Sequence, residues 1–499
     1  MALPSDGTAW PPPAWSPFYR AMRVDDAWYS GDRARLERIY GYAPEARERR
    51  KLWGRRSTEH RVRKRETRLH VPLAGDIART SADMLFADMP AIRVEDGPTQ
   101  TRLEQLLDEG MVQETLLGAA EQAAALSGVF LRVTYDRDLA ARPLLTVMQP
   151  DAAIPEFRFG MLRAVMFWRE LDGSSEHAVW RHIERHESGR IVHALYEGGP
   201  DTIGRRVPLT EHPDTADLAA EAALDDDGET AIPTGITQLT AAYVPNMLPN
   251  RLHRSSPVGR SDYAAVHDLF DGLDTTWSSW MRDIRLARAR LIVPDGYLES
   301  QGPGRGASFD DDREVWAGLR MPPNEGAGIT LAQFEIRVEE HRATAQSIVQ
   351  QAVQTAGYDA HSFGLESGDG QPVTATQVDD RRARGLITRK KKAGYWRRAL
   401  ADMLHVLLLV DQAQFTPGIE PARPHVEFGS GAAESEQQTA TTLDLLARAG
   451  AVSTATKVKI LHPDWDDTAV KAEVAAILAE TGAGAPDPGD PGGTYPLAA

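Results

Sequence analysis

The sequence predicts an α+β fold of several domains, in which a mixed helix and sheet region is followed by long helices. Its 499 residues leave room for about three domains. From Gly128 onward, short segments rich in β-branched and aromatic residues alternate with Pro, Gly and Asp turns, a pattern typical of antiparallel sheet. After residue 258, apolar residues recur every three or four positions, which indicates long helices with one buried face.

The N-terminal half is predicted to contain the sheet. Residues 1–24 are Pro-rich and predict an extended arm, and residues 25–258 begin with helices and continue as strands. The acidic run DDDGE within residues 211–230 predicts a loop or flexible insertion. The predicted strands lie in VFLRVTYD, LLTVMQP, AVMFWREL, HAVWRHIERH, RIVHALYEG and LTAAYVPN.

Two long helices are predicted next, over residues 259–292 and 332–357, with a compact Gly- and Pro-rich module at 293–331 between them. Gly357 is predicted to end the second helix. The first helix carries a stripe that we interpret as buried or facing another subunit, formed by Val266, Leu269, Phe270, Leu273, Trp277, Trp280, Met281, Ile284 and Leu291.

A Gly-rich loop at residues 358–373 precedes the longest predicted helix. Thr374 and Gln377 have the spacing of a capping box, so the helix is expected to begin there. Helix-forming residues continue to about Gln412, which makes an element roughly 55 Å long at ~1.5 Å per residue. Gly385 and Gly394 lie inside it and predict a kink. Residues 434–482 are predicted to be helical again, and residues 483–499 are predicted to be disordered.

Residues 381–398, RRARGLITRKKKAGYWRR, hold nine Lys or Arg and no acid, in a chain whose net charge is -16. Charge alone favours a solvated helix face. The acidic total argues against a general nucleic-acid coat, since nonspecific affinity for phosphate comes mainly from cations. The candidate basic block consists of Arg381, Arg382, Arg384, Arg389, Lys390, Lys391 and Lys392.

No pattern in the sequence predicts catalysis, a metal site or a cofactor. The chain has no cysteine and no Walker A or GxSxG motif. His182 and His186 lack the Glu of HExxH, and on a strand they would share one face about 13 Å apart, too far to hold one metal ion. The runs at Asp225 and Asp310 lack the supporting ligands of Ca²⁺ or Mg²⁺ sites. No secretion signal or membrane span is recognised, so a soluble protein is expected.

Several strings, taken together and in this order, resemble the portal proteins of tailed bacteriophages, in the branch found in long-tailed phages. The resemblance covers roughly residues 25–480. The strings are WYSGD (28–32), HVPLAGDIARTSADMLFADMP (70–90), VGRSDY (258–263), RDIRLARARLIVP (282–294) and FGLESGDGQPVTATQVDDRRARGLITRKKKAGYW (363–396).

The resemblance implies a portal fold with a mixed α/β wing, a long-helix stem, a small α/β clip, a kinked tunnel helix and a helical crown. On this chain the wing would be residues 25–258 and the clip residues 293–331. The stem would be residues 259–292 and 332–357, the tunnel loop residues 358–373, the kinked helix with its return residues 374–433, and the crown residues 434–482.

The resemblance also implies a function and partners. Twelve copies would form a ring around a channel at one capsid vertex, assembled in the host cytoplasm and kept in the virion. Double-stranded DNA would be packaged and ejected through this channel. The clip would dock the terminase large subunit and later the head-completion adaptor, and the ring would meet the major capsid and scaffolding proteins, with no membrane.

The resemblance assigns site residues to two further segments. The tunnel loop would act through Phe363, Gly364, Glu366, Gly368, Asp369 and Gly370. The clip would dock its partners through Tyr297, Asp310, Asp311, Asp312 and Trp316. Twelve copies at -16 each would repel DNA, which suits a channel that must not clamp its cargo. The basic block would then meet acids of adjacent subunits, or DNA phosphates transiently.

Two other classes of function stay open at the sequence level. A metal-dependent phage DNA-processing enzyme would need a carboxylate constellation, which the sequence does not display. A structural head protein without DNA contact would share the composition and the helices. The absence of catalytic motifs favours a protein that is not an enzyme.

Overall fold

The structure is a computed structural model that describes residues 3–40, 68–137, 139–175, 177–225, 228–287, 290–292, 299–300, 307–308, 330–332, 336–360, 363, 375–429, 436–462, 465 and 467–481. The chain forms two compact units, residues 1–429 and residues 430–499. Helices and sheets both occur in the first unit, as the α+β prediction requires.

Helices make up about half of the described residues. The first unit contains α1 Ser16–Ser30, α2 Arg33–Tyr40, α3 Leu73–Phe86, α4 Gly97–Glu109, α5 Val112–Leu126, α6 Pro213–Glu221, α7 His267–Leu286, α8 Val338–Ala356 and α9 Ala375–Gln414. The second unit contains α10 Glu436–Arg448, α11 Thr454–Leu461 and α12 Asp467–Thr481.

The strands pair antiparallel throughout the described residues. They are β1 Ala91–Arg93, β2 Gly128–Thr134, β3 Leu144–Met148, β4 Ala153–Arg158, β5 Met161–Glu170, β6 Val179–Glu187, β7 Arg190–Gly199, β8 Thr202–Val207, β9 Ala223–Leu224, β10 Thr230–Pro233, β11 Ala241–Pro245, β12 Arg290–Ile292, β13 Glu299–Ser300, β14 Ala307–Ser308, β15 Thr330–Ala332 and β16 His425–Glu427. The six strand segments predicted from alternation are all strands.

Two sheets form the centre of the first unit. A seven-stranded sheet has the order β4-β5-β6-β7-β10-β9, with β8 also paired to β7, and a three-stranded sheet has the order β11-β2-β3. Phe130 on β2 and Phe167 on β5 meet edge to face, with ring centroids 5.5 Å apart. Because both rings are buried, the two sheets share part of their core at this point.

The N-terminal arm is only partly extended. Ala9 bridges to Thr202 on β8, and the buried ring of Trp10 packs against Trp168 with centroids 5.7 Å apart. The prediction of an extended segment over residues 1–24 is wrong from Ser16 onward, where α1 begins. Pro17 lies in its first turn, where a missing N–H costs no helical hydrogen bond.

Much of the segment predicted as a loop forms regular structure, namely α6 at Pro213–Glu221, β9 at Ala223–Leu224 and the first residue of β10 at Thr230. Pro213 opens α6, and the His212 ring accepts a hydrogen bond from the backbone N–H of Asp214. The helix-forming sequence ADLAAE continues it, and β9 then pairs with β10 at the edge of the larger sheet. Local helix propensity was therefore a better guide here than the acidic run, of which residues 226–227 lie outside the described part.

The two long helices after residue 258 pack antiparallel. Asp283 of α7 accepts hydrogen bonds from His341 at 2.9 Å and from Arg337 at 3.3 Å, while Gly272 lies near Ile348. Predicted bounds of 259–292 are wrong for the first helix, which begins at His267 and ends at Leu286. Its predicted end instead forms β12, which pairs with β15, because the β-branched and aliphatic sequence there suits a strand.

The second helix of the pair is described from Val338, six residues after the predicted start at 332, and ends where the sequence predicts. Gly357 follows it with φ 104°, a left-handed conformation that favours glycine. The apolar faces of α7 and α8 reach into a core that also contains Trp28, Ile77 and Phe270. Trp277 packs against that core, and Trp280 stacks on His341 with centroids 6.0 Å apart.

The longest helix, α9, runs without interruption from Ala375 to Gln414, which corresponds to about 60 Å. The helix is described from Ala375, next to the predicted start, and Thr374 of the predicted capping box lies outside the described residues. The predicted return to the first region is seen in β16, which pairs with β1. No described helix is both long and apolar enough to cross a membrane.

Candidate functional site

The best-defined polar site in the described residues lies at the root of α9. The Lys392 ammonium donates to the Asp262 carboxylate at 2.6 Å, to the Ser81 hydroxyl at 2.6 Å and to the Tyr358 hydroxyl at 3.1 Å. Each of these four side chains is buried. The site therefore joins α3, the turn before α7, the residue after Gly357 and α9 inside one subunit. We call these four residues the anchor.

The Asp262 carboxylate is shared by three donors. Besides Lys392, it accepts hydrogen bonds from the Tyr358 hydroxyl at 2.7 Å and from the Asn246 amide at 2.8 Å. Burial lowers the pKa of Lys392, and the neighbouring Asp262 charge acts in the opposite direction. Burial and the same negative charge raise the pKa of Tyr358 well above its ordinary value, so its hydroxyl remains a donor.

The start of the predicted tunnel loop is fixed against α9. The Thr388 hydroxyl donates to the Gly357 carbonyl at 2.7 Å. A Cβ at Gly385 would lie 2.9 Å from the Asp359 carboxylate, so glycine permits this close approach. The loop base lies beside Gly385, and α9 begins ten residues before it, at Ala375. The N-terminal part of α9 therefore extends about 15 Å past the loop base.

The basic block divides into internal and exposed cations. Arg389 donates to the Met84 carbonyl at 2.5 Å, and Lys392 belongs to the anchor. Arg384, Lys390 and Lys391 are exposed. The prediction of a solvated or partner-facing face is therefore wrong for Lys392, which uses its charge within the subunit. Arg381 and Arg382 lie in α9, but their side chains fall outside the described residues.

The other predicted site residues fall mostly outside the described part of the chain. Phe363 is described and lies 6.5 Å from Tyr358, measured between ring centroids. The remaining tunnel-loop candidates, Gly364, Glu366, Gly368, Asp369 and Gly370, lie outside it. So do the clip candidates Tyr297, Asp310, Asp311, Asp312 and Trp316.

The two histidines considered for a metal site lie on β6 and share one face, as predicted. The His182 ring is 3.2 Å from the His193 ring, measured between nitrogens, and the His186 ring is 2.7 Å from the Glu184 carboxylate. Arg132 forms an ion pair with Glu184. Among the described residues, no group of three or more His, Asp or Glu side chains is arranged to hold a metal ion.

The anchor was not predicted as a set. The sequence indicates Lys392 only as part of a charge run, and Asp262 only as a residue within a predicted helix. Ser81 lies 311 residues from Lys392 and Asp262 lies 130 residues away. One feature of the sequence does point to this pair. An acid and a lysine next to long apolar stripes can be buried only if they are paired, so such residues are candidates for a buried ion pair.

Comparison with known proteins identifies the family. The family model described as "Phage portal protein, SPP1 Gp6-like" matches residues 18–487. The chain belongs to this family. The portal resemblance seen in the sequence is thereby confirmed over nearly the whole chain, including the anchor and α9.

Two of the solved structures that match the chain come from gene transfer agent particles. One is titled "Virion of native gene transfer agent (GTA) particle", with 14% identity, a TM-score of 0.43, and coverage of 80% of this chain and 91% of that one. Another is titled "Neck of empty GTA particle computed with C6 symmetry", with 15% identity, a TM-score of 0.42, and coverage of 78% and 90%. No curated protein matches the chain.

Proposed function

We propose that this portal protein forms a ring-shaped channel at one capsid vertex, through which double-stranded DNA is packaged and later ejected. The observation that carries the proposal is the family match over residues 18–487, which covers nearly the whole chain. A ring of twelve copies is part of the proposal. A heterologous interface that closes on itself generates such a ring.

The proposed channel element is the loop at residues 358–373 together with the first turns of α9. Its base is held by Gly357, Tyr358 and Asp359, which lie against α9 between Gly385 and Lys392. A loop with a fixed base and a Gly-rich tip can meet passing DNA through movable contacts. Glu366 and Asp369 would keep these contacts weak, because like charges repel.

The proposed docking element is the clip, residues 293–331, at the far end of the pair formed by α7 and α8. The short ladder of β12 and β15 closes the base of this module. The terminase large subunit and then the head-completion adaptor would dock there, through Tyr297, Asp310, Asp311, Asp312 and Trp316. Capsid and scaffolding proteins would contact the ring at the vertex, and the mature location would be the virion.

Electron microscopy of the purified full-length protein tests the proposal. A ring with an open axial channel is the expected result. A monomer that cleaves DNA in a Mg²⁺-dependent reaction would overturn it in favour of a DNA-processing enzyme. A ring without an axial opening would instead point to a structural head protein without DNA contact.

A further inference from the structure

One face of α9 carries cations for which the described part of the chain offers no ion-pair partner. Between Arg384 and Arg398 the exposed positions recur every three or four residues, and every exposed charged side chain is positive. None of the five cations forms an ion pair with a described carboxylate. We call this face the basic stripe, and its residues are Arg384, Ile387, Lys390, Lys391, Gly394, Arg397 and Arg398.

Neighbouring charges on α9 are used within the chain. Arg389 bonds the Met84 carbonyl and Lys392 pairs with Asp262. One turn past the stripe, Asp402 pairs with Arg423 at 2.7 Å. Cations without a described partner therefore lie on the face of α9 that is directed away from the packed residues Thr388, Lys392, Ala393 and Trp396.

The stripe has a regular geometry. Arg384, Lys391 and Arg398 are seven residues apart, so they lie on nearly the same line along the helix, about 10.5 Å from one another and about 21 Å in total. Ile387 lies between them and is 56% exposed. No atom lies within 4 Å of a Cβ built on Gly394, so this surface is open to close approach.

We infer that the basic stripe binds carboxylates on the adjacent copy of this chain, and thereby contributes to closing the ring; this inference rests on the proposed function. The adjacent copy is an acidic partner, because each chain carries a net charge of -16. In a ring, each subunit contacts its two neighbours through two different faces. A cationic face on one copy therefore meets a different surface of the next copy. An exposed Ile among arginines fits a protein partner, since protein interfaces combine apolar contacts with Arg and DNA phosphates offer no apolar surface.

Charge reversal of the stripe tests the inference in the full-length protein. The variant is R384E/K391E/R398E, and the matched control is R20E/R163E/R254E. The control changes the net charge by the same amount at exposed arginines that form no ion pair with a described residue. Ring formation is measured by mass photometry over a range of protein and NaCl concentrations, and circular dichroism checks the fold.

The stripe variant is expected to need at least about tenfold more protein to form rings, while the control assembles like the wild type. Rings that form as readily in the stripe variant as in the control would overturn the inference. If such rings also retain less of a short DNA duplex than the control does, the stripe serves phosphates. Should the reversed variant misfold, R384Q/K391Q/R398Q gives the same comparison with a smaller perturbation, because exposed polar substitutions rarely unfold a protein.

Carbodiimide crosslinking of wild-type rings provides a second readout. Rings assembled from mixed ¹⁴N and ¹⁵N subunits are treated with the reagent, which joins an amine to a carboxylate in direct contact. Mass spectra are expected to show Lys390 or Lys391 joined to a carboxylate of the other isotope, whereas crosslinks within one isotope alone would overturn the inference. If the wild-type protein forms no rings, both proposals are overturned. If it forms rings and reversal of the stripe charges does not affect them, only this inference is overturned.

Discussion

At the scale of single residues, Lys392 differs from Lys390 and Lys391 only in the direction of its side chain. Helical geometry turns Lys392 toward Ser81 and Asp262, while its two neighbours remain exposed. The sequence indicated a cluster of like charges but not this division, because the deciding partners are 130 and 311 residues away. Lys392 is thus part of the buried structure of the subunit, although the sequence indicated that the whole basic block lies on a surface.

Lys392→Met is expected to destabilise the subunit by about 3–5 kcal/mol, because it leaves the Asp262 carboxylate buried without its cation. Lys391→Met is the control and should change the free energy of unfolding by no more than about 0.5 kcal/mol. Urea unfolding followed by circular dichroism measures both. Equal stability of the two variants would show that the buried pair contributes nothing particular to this fold.

The backbone conformation of Phe159 leads to a second prediction, about stability. It forms a two-residue turn with Gly160 between β4 and β5, where both φ angles are positive, at 53° and 77°. Asn at this position tolerates the left-handed conformation better than Phe does, and Phe159 is 93% exposed, so it loses little packing on replacement. Phe159→Asn is therefore expected to raise the free energy of unfolding by about 1 kcal/mol. Leu252→Asn, at an exposed site without positive φ, is the control in the same thermal unfolding experiment and should not stabilise the protein.

At the scale of elements, local patterns predicted the strands and the start of α9, since alternation and capping depend on residues close in sequence. They failed at the ends of α7. Asp262 lies within the predicted helix, but its carboxylate is held by Asn246, Tyr358 and Lys392, and the helix begins only at His267. Contacts between distant segments set such boundaries, and a single sequence does not display them.

Two buried histidines on the paired strands β6 and β7 predict that the folded state loses stability in acid. Burial lowers the pKa of His182 to about 3 and that of His193 to about 4, from 6.5 in the unfolded chain. Arg132, Arg169, Glu184 and His186 also act on these rings. Because the folded state excludes these protons, the stability is fully present above pH 6.5 and is lost as the pH falls toward 4 and then 3.

Between pH 7 and 5, each of these histidines is expected to remove up to about 2 kcal/mol from the free energy of unfolding. Urea unfolding at several pH values measures this loss. In H182Q/H193Q the loss should become clearly smaller over the same range, and part of it should remain because burial also lowers the pKa of His405. The exposed histidine variant H177Q is the control and should keep the wild-type slope. A double variant with the wild-type slope would contradict the assignment.

The two glycines inside α9 are expected to respond in opposite ways to alanine. Gly394 has open space around its missing side chain, so Gly394→Ala should stabilise the isolated subunit by about 0.5–1 kcal/mol through helix propensity. Gly385→Ala should destabilise it, because the new Cβ would lie 2.9 Å from the Asp359 carboxylate and 3.1 Å from the Met84 methyl group. Thermal unfolding of both variants decides this. Similar stabilisation at both sites would mean that the loop base is not held tightly against α9.

At the scale of the whole molecule, the proposed ring has to satisfy two opposing electrostatic demands. Subunits that each carry -16 must still associate, while the channel must not hold DNA. In the proposed ring, the basic stripe would serve the first demand by meeting neighbouring carboxylates, and Glu366 and Asp369 of the proposed tunnel loop would serve the second. The net charge of the chain therefore does not predict how it meets DNA or a neighbouring subunit. That depends on which surface carries which charges, and the net value does not contain this information.

This division predicts how the ring responds when the loop acids are reversed. E366R/D369R is expected to make the channel bind a short DNA duplex more tightly, and the binding should weaken steeply with NaCl because new cation–phosphate contacts release counterions. Fluorescence anisotropy of a labelled duplex at several salt concentrations measures the affinity and its slope. The control E104R/D108R introduces the same charge on the exposed face of α4, whose Arg102 pairs with Asp411 near the C-terminal end of α9, and should leave both quantities near their wild-type values. If the control gained as much affinity as the loop variant, total charge would govern DNA contact, and the tunnel loop would have no special part in keeping the DNA free to move.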